Sequence, residues 1–421
     1  MVIDTTIKKS LLDETTVKAG YKQTELGVIP EDWDIKPLGS FTSISVGRDL
    51  KEKNYSTYQD ENFKYPVYSN TVSNYGLYGF YNIAEYNGDS LTIVGRGVGL
   101  GTAFSRSGGY GAIGRLLVFF PNSNINAKFL TEYINHKVKI FSESGGIPQL
   151  TGISIAKYRI PLPPTKAEQI AIATVLSDTD ILIEKLEKLI AKKKTIKQGT
   201  IQQLLTGKKR LSGFSGKWEV KKLGEIGEIT GAGIDKKLKL GEIPVRLVNY
   251  LDVFHKNFIY SKDLNHCVTA PIKQSQRCAV KKGDIFFTPS SEMRYDIGIS
   301  AVAMEDIPDA GYSYHVDRLR LFDDWDLAFR AYIFKTKNFL DQAETICEGS
   351  GKRYVISLTK FREMTVRYPV DKSEQTAIAT VLSDMDAEIK SLEQKRDKYI
   401  MLKQGMMQQL LTGRIRIYAN N

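Results

Sequence analysis

Two clusters of polar side chains on glycine-rich stretches are the parts of this 421-residue chain best suited to chemistry. The first holds Ser69, Asn70 and Tyr75 in SNTVSNYG, Arg96 in GRGVG, and Arg106 and Arg115 around the next glycines. The second holds Ser290, Ser291, Arg294 and Tyr295, with Lys352, Arg353 and Tyr354 in GSGKRY. Arg and Lys suit guanine edges, Asn suits adenine, and Ser suits either. Most bonds between a protein and a duplex go to phosphate and sugar, so many of these residues would position rather than read, and others would be plain surface. The chemistry on offer is hydrogen bonding to a polyanion.

The charge balance points the same way. The net charge is +11 and the pI is near 9.2, combined with 22 Tyr and many Gly and Asn in expected loops. That mixture suits a polar surface laid against phosphates and bases. Bond-making chemistry finds no support. An adenine methyltransferase needs an Asn/Asp-Pro-Pro-aromatic tetrapeptide, yet the one Pro-Pro pair, Pro163-Pro164, lies between Leu162 and Thr165. No Walker A loop occurs, and Gly95 to Gly101 fails the G-x-G-x-x-G pattern because Leu100 stands at the third glycine. That run reads as a tight strand turn or a loop letting backbone approach DNA. Cys267, Cys278 and Cys347 lack paired-ligand spacing, so no metal site and no disulfide framework is expected. With no run of 18 apolar residues and no apolar signal core near Met1, the expectation is a cytoplasmic protein with no membrane contact.

The elements that must hold these clusters are organised by a duplication. Lys166 to Arg210 and Lys372 to Arg416 align without a gap at an offset of 206 residues, matching at about 26 of 45 positions. Both copies read as helix. Thr165 to Glu168 and Asp371 to Glu374 have capping-box spacing, and Gly207 and Gly413 supply the residue type that ends a helix. Ser177 to Asp180 and Ser383 to Asp386 read as a break and a fresh N-cap. The apolar positions Ile183, Leu186, Ile196, Ile201, Leu204 and Leu205 recur as Ile389, Leu392, Leu402, Met407, Leu410 and Leu411, a stripe that the two helices would bury against each other as a coiled-coil pair. About 28 residues after the break make a rod of about 42 Å.

A Trp-x4-Leu-Gly piece opens each half, at Trp33 to Gly39 and at Trp218 to Gly224. Between opening and helix the pattern is strand and turn, as in Tyr65–Tyr68, Leu91–Val94 and Leu116–Phe120, then Val245–Val248, Asp284–Phe287 and Arg318–Phe322. A helix is expected near Ala127 to Phe141 and another near Leu327 to Glu344. Gly88-Asp89 parallels Gly283-Asp284, and Ser144-Gly145-Gly146 parallels Gly349-Ser350-Gly351. The expected division is an arm over 1–20, a β-rich domain over 21–164, helix over 165–212, a second β-rich domain over 213–370, and helix over 371–421. Two domains of one plan with diverged loops suggest one task performed on two targets.

The Trp-x4-Leu-Gly entry, the Gly-Asp strand, the Pro-x-Pro-Pro or Tyr-Pro exit, the Glu-Gln helix start and Gln-Gln-Leu-Leu-Thr-Gly, in this order and twice over, resemble the specificity subunit of type I restriction–modification systems. The resemblance covers about residues 21 to 417, and the second exit, Arg367-Tyr-Pro-Val, departs from the first. It implies an α+β fold in which two globular β-rich target-recognition domains are joined by an antiparallel pair of long conserved helices, with a pseudo-two-fold internal repeat. It implies double-stranded DNA as a partner, each domain taking one half of an asymmetric bipartite site and the helices acting as a ruler. Half-sites one helical turn apart lie about 34–36 Å between centres, close to the expected rod. It further implies two modification (methyltransferase) subunits using S-adenosylmethionine, and motor–nuclease subunits using ATP and Mg²⁺. None of these cofactors would be bound by this chain, which would be non-catalytic itself. Gln202, Gln203 and Thr206, with Gln408, Gln409 and Thr412, would be the docking surface for the modification subunits, unless they are simply solvated helix residues. The rival readings are a self-contained methyltransferase or nuclease, which the missing motifs oppose, and a coiled-coil scaffold or adaptor with no role on DNA.

Overall fold

The computed structural model of the protein describes residues 17–140, 149–231, 233–351 and 353–417. The candidate Lys352, the landmark Ser144-Gly145-Gly146 and residues 1–16 of the expected arm lie outside the described residues. The chain divides into two compact units, Met1–Leu186 with Lys395–Asn421, and Glu187–Gln394. Each combines a β-rich domain with the start of one long helix and the end of the other.

In the first unit the strand of the Trp33 entry, Asp34–Pro37, pairs antiparallel with the exit strand Arg159–Leu162, tying the two ends of the domain together. Four strands form one sheet in the order Ala103–Arg106, Ser90–Ile93, Leu117–Pro121, Thr42–Val46. Five others form a second sheet, in which Tyr65–Tyr68 and Gly109–Ala112 run parallel. Helix Ala127–Lys137 starts where the Asn126 side chain accepts the Phe129 N–H at 2.9 Å, and it buries Phe129, Leu130 and Ile134. The strand Ser90–Ile93 is buried at every position, which explains its unbroken apolar and small-residue run.

The second unit repeats this plan. Trp218–Lys222 pairs with the exit strand Thr365–Pro369, and Ile243–Val248 runs parallel to Ile307–Tyr312. The sheet of Gly227–Thr230, Asp317–Leu321, Ile285–Phe287 and Ser300–Ala303 keeps the order of its counterpart and adds Phe258–Ile259 at one edge. The expected helix near Leu327 to Glu344 is only half right. Two 3-10 turns, Phe329–Ala331 and Ile333–Lys335, precede a helix that begins at Lys337 and ends at Ile346. Phe329, Tyr332, Ile333 and Phe334 are all fully buried, so this run lacks a solvent face, and Thr336 caps the regular helix instead.

The long helices, Lys166–Leu204 and Lys372–Leu410, are each 39 residues and unbroken. The break expected at Ser177 to Asp180 does not occur. Ser177 Oγ donates to the Thr174 carbonyl at 3.1 Å and Thr179 Oγ1 to the Val175 carbonyl at 2.8 Å, so these hydroxyls bond to the preceding turn of one helix. The capping box is half formed: Thr165 accepts the Glu168 N–H at 3.2 Å, while the Glu168 carboxylate is engaged elsewhere. The helix ends match the sequence pattern. Gly207 and Gly413 both adopt φ +67°, the left-handed conformation that terminates a helix.

The apolar stripe needs correction too. Leu186, Ile201, Leu204 and Leu205 are buried, as are Ile389, Leu410 and Leu411, but Ile196 and Leu402 are 45% and 49% exposed. Much of the buried stripe serves the β-rich domains. Ile201, Leu204 and Leu205 join a core with Leu223, Phe334 and Phe361, and Leu410 and Leu411 join one with Trp33 and Leu38. Beside the exposed positions the helices meet through charge: Lys197 with Asp386 in the second unit, and Lys403 with Asp180 in the first.

Candidate nucleic-acid interface

The fixed frame of each domain is set by the residues that the helical repeat shares. In the first unit Arg416 donates two bonds to Glu168, at 2.5 and 2.8 Å, and two to Asp32, at 2.8 and 3.0 Å. In the second unit Arg210 makes the same paired contact with Glu374, and both glutamates are buried. The neighbouring glutamine fastens the helix start to its own domain. Gln169 accepts the Asn126 N–H at 2.8 Å and donates to the Pro163 carbonyl at 3.1 Å; Gln375 accepts the Asp326 N–H at 2.8 Å and donates to the Pro369 carbonyl at 2.9 Å. The helix-ending glycine packs against the entry tryptophan: a Cβ on Gly413 would lie 3.1 Å from Trp33, and one on Gly207 would lie 3.4 Å from Trp218. None of Glu168, Gln169, Arg210, Glu374, Gln375 and Arg416 was singled out from the sequence as a fastening residue. The signal was present: all six are identical between the copies.

On the first domain the loop from Ser69 to Gly76 is held in an unusual conformation. Asn74, Tyr75 and Gly76 are consecutively left-handed, at φ +47°, +53° and +82°. Such backbone costs energy in residues with a Cβ and persists only where its surroundings impose it. Arg106 does so. Its Nη2 donates to the Tyr75 carbonyl at 2.7 Å, its Nε donates to Thr92 Oγ1 at 2.9 Å, and its guanidinium lies 3.5 Å over the Tyr68 ring. The expected role of Arg106 as a direct contact does not fit this placement, because the side chain is buried and its donors are turned inward. Burial holds its guanidinium below the ordinary arginine range. Ser69 N–H bonds to the Gly76 carbonyl at 2.8 Å, and Asn70 Oδ1 accepts the Gly95 N–H at 2.8 Å, so Asn70 ties this loop to the glycine-rich one. Tyr75 itself is 66% exposed, with its ring edge-on to Phe104.

Arg96 is exposed on the glycine-rich turn that joins Ser90–Ile93 to Ala103–Arg106, next to Val98. This turn, with Gly97, Gly99 and Gly101 all at positive φ, is the tight strand connection that the sequence offered as one reading. Arg115 is exposed and left-handed at φ +63°. Gly114, beside it, lies next to Asn70, so Asn70 links the stretches bearing Arg96 and Arg115.

On the second domain the candidates converge on one small sheet. Ser290–Ser291 pairs with Arg353–Val355, which pairs with Glu348–Ser350, so Ser291 stands opposite Tyr354. Arg353 Nη2 donates to Ser290 Oγ at 3.2 Å and to His315 Nδ1 at 3.0 Å. Burial foremost, then the charges of Arg353 and Lys236, holds the His315 imidazole below its usual range and keeps Nδ1 an acceptor. Arg294 donates to the Cys347 carbonyl at 3.1 Å and lies over the Tyr354 ring, while Tyr295 projects with 64% of its surface exposed. A cavity of about 460 Å³ opens among Tyr250, Ser290, Ser291, His315 and Arg353. Tyr250 and His315 were missed, since neither lies near the other candidates in sequence.

The six helix candidates divide. Gln202 accepts the Lys337 N–H at 2.9 Å, so it is committed to the second domain. Thr206 and Thr412 return their hydroxyls to the Gln202 and Gln408 carbonyls at 2.5 and 2.6 Å. Gln203 and Gln408 are exposed, and Gln409 is half-buried. Leu204, Leu205, Leu410 and Leu411 are core, as expected.

Comparison with known proteins agrees with this layout. Residues 30–198 and 215–400 both match the type I restriction modification DNA specificity domain. The chain is 24% identical over 418 residues to the MjaVIII type I restriction enzyme specificity subunit of Methanocaldococcus jannaschii, covering 92% of this chain and 94% of that one. Its fold is similar to that of a type I restriction–modification S subunit from M. genitalium, with a TM-score of 0.58 at 16% identity over 90% of this chain and 96% of that one. It is also similar to a chain from a structure describing complex assembly and conformational transition of the type I R-M system, with a TM-score of 0.51 at 14% identity over 92% and 99%. The duplicated domain matches cover most of the sequence and set aside the scaffold reading: the chain belongs to the family of type I restriction–modification DNA specificity subunits.

Proposed function

We propose that each β-rich domain reads one half of an asymmetric bipartite DNA site, and that the length of the paired helices sets the gap between the halves. The observation that carries this reading is the reciprocity of the fastenings. Arg210 with Glu374 and Arg416 with Glu168, like Lys197 with Asp386 and Lys403 with Asp180, are the same pairs with the copies exchanged. Two domains thus hang on equivalent helical frames while their exposed loops differ: Asn74, Tyr75, Arg96 and Arg115 in one, Ser291, Tyr295 and Arg353 in the other. Equivalent frames with different loops suit one reading task on two unlike sequences.

The chain makes no bond itself in this reading. It presents DNA to two modification subunits that methylate adenine with S-adenosylmethionine, and to motor–nuclease subunits that use ATP and Mg²⁺, in the cytoplasm. Gln203, Gln408 and Gln409 remain candidates for docking the modification subunits, and Gln202 serves the second domain instead. A filter-binding titration of the chain with its modification partner tests the DNA reading. Affinity should fall steeply as salt rises, because phosphate contacts release counterions. Weak binding with no salt dependence would contradict it.

A further inference from the structure

In the second unit a cavity of about 360 Å³ lies between the long helices and the β-rich domain, lined by Lys197, Ser300, Lys335 and Asp386 above Ile201 and Phe334. Its charges do not balance. Asp386 is saturated: it accepts from Lys197, from the Tyr332 hydroxyl at 2.8 Å and from Asn257 Nδ2 at 3.1 Å. Lys335 is left with the side-chain oxygen of Asn257, a neutral acceptor, and forms no ion pair among the described residues. Burial first, then the charge of Lys197, pushes the Lys335 ammonium down to about 8, with Asp386 opposing. Lys194 on the rim is paired with Glu393 at 2.7 Å and brings no spare negative charge. Ser300 is 1% exposed, and its hydroxyl has no hydrogen-bond partner among the described residues.

The matching place in the first unit is built differently. Lys403, the counterpart of Lys197, has two carboxylates, Asp180 and, at 3.9 Å, Glu132. Glu132 also faces His136 at 3.5 Å, so acids there at least match the bases, whereas two lysines in the second unit share one aspartate. A buried cation without a counter-charge is destabilising unless something compensates it.

We propose that this cavity binds a small oxyanion of the phosphate class, held between Lys335 and Lys197 and accepting the Ser300 hydroxyl. The anion supplies the missing negative charge and satisfies the orphaned serine in one step. Its source is a free ion, which a pocket of this size admits; a backbone phosphate of bound DNA has the same chemistry and is separated by the test below. The inference does not rest on the DNA-recognition reading.

The experiment is thermal unfolding of the full chain, without DNA, titrated with inorganic phosphate against chloride at constant ionic strength. A rise in Tm that grows with the logarithm of phosphate above Kd is expected, about 2–4 °C at a tenfold excess over Kd. Lys335→Met should abolish the rise and leave the Tm in chloride at or above that of the wild type. Ser300→Ala should shift the titration to higher phosphate. An equal rise in the wild type and Lys335→Met would be a general exclusion effect and would overturn the proposal. So would no rise at all, or a rise that appears only with duplex DNA. If Lys335→Met does not fold, the ³¹P line width of phosphate with the wild-type chain decides: a line as sharp as in buffer overturns the site.

Discussion

Arg416 holds the buried carboxylate of Glu168 through two bonds, at 2.5 and 2.8 Å, across 248 residues of chain. The contact ties the tail of the second long helix to the start of the first within one unit, and Arg210 with Glu374 repeats it in the other. Both glutamates are nearly inaccessible, so removing the arginine strands a charge rather than releasing it to water. Such a loss costs about 3–5 kcal/mol. Arg416→Ala is therefore expected to destabilise the first unit by that amount, and Arg210→Ala the second. Glu168→Gln added to Arg416→Ala should recover part of it. Urea unfolding of the full chain measures this; losses below about 1 kcal/mol for both arginines would mean the pairs do not hold the frame.

Arg106 makes a different prediction, because it acts through the loop it supports. Arg106→Met removes the donor to the Tyr75 carbonyl and the planar cation over Tyr68, freeing Asn74 and Tyr75 to leave the left-handed region. DNA affinity of the complex should drop by about tenfold or more, equivalent to ~1.4 kcal/mol. Arg106→Lys should not rescue it, since a single ammonium cannot serve Thr92 and Tyr75 together and has no flat face. Unchanged affinity in a folded Arg106→Met variant would remove this loop from the interface.

Asp317 gives the chain a pH signature. It is buried with no ion pair among the described residues, and burial pushes its carboxyl up to about 7 from the ordinary 3.8. A raised folded-state value means that between about pH 4 and 7 the folded chain binds more protons than the unfolded one. The stability gained by protonating Asp317 is thus present at low pH and lost as pH rises through about 7. Asp317→Asn should remove that loss, so its Tm relative to wild type should climb from pH 5 to pH 8. A constant difference across that range would mean that Asp317 ionises as an ordinary carboxylate.

The two-domain repeat and the helix ends were legible because they are carried by local patterns: a closely matching pair of segments, Trp-x4-Leu-Gly entries, and glycines where the helix must stop. Long-range pairing was not. Glu168 reads as a capping residue by spacing, and nothing local reveals that its partner is Arg416. Ser177 and Thr179 look like a cap because hydroxyls favour caps, but here they bond within an unbroken helix. Ile196 and Leu402 fit the stripe by type, yet lysine–aspartate pairs take the neighbouring contacts. Among the site candidates the sequence identified loops better than roles. The glycines around Arg106 marked an irregular region, while the inward turn of that side chain depends on Tyr68 and Thr92, which lie on separate strands.

Lengthening both helices tests the ruler. Inserting four residues, about one turn or 6 Å, after Leu189 and again after Lys395, between the fastening pairs, should change the gap in the recognised site while leaving both half-site sequences intact. Altered half-sites at an unchanged gap would contradict it.

The most direct measurement is a methylome: co-express this chain with its modification subunit in a methylation-free host and map methylated adenines by single-molecule sequencing. A split asymmetric motif with a fixed gap is predicted, and Arg353→Ala should relax only one of its halves. Methylation at a single contiguous motif, or scattered methylation with an intact complex, would contradict the account of two domains reading two half-sites.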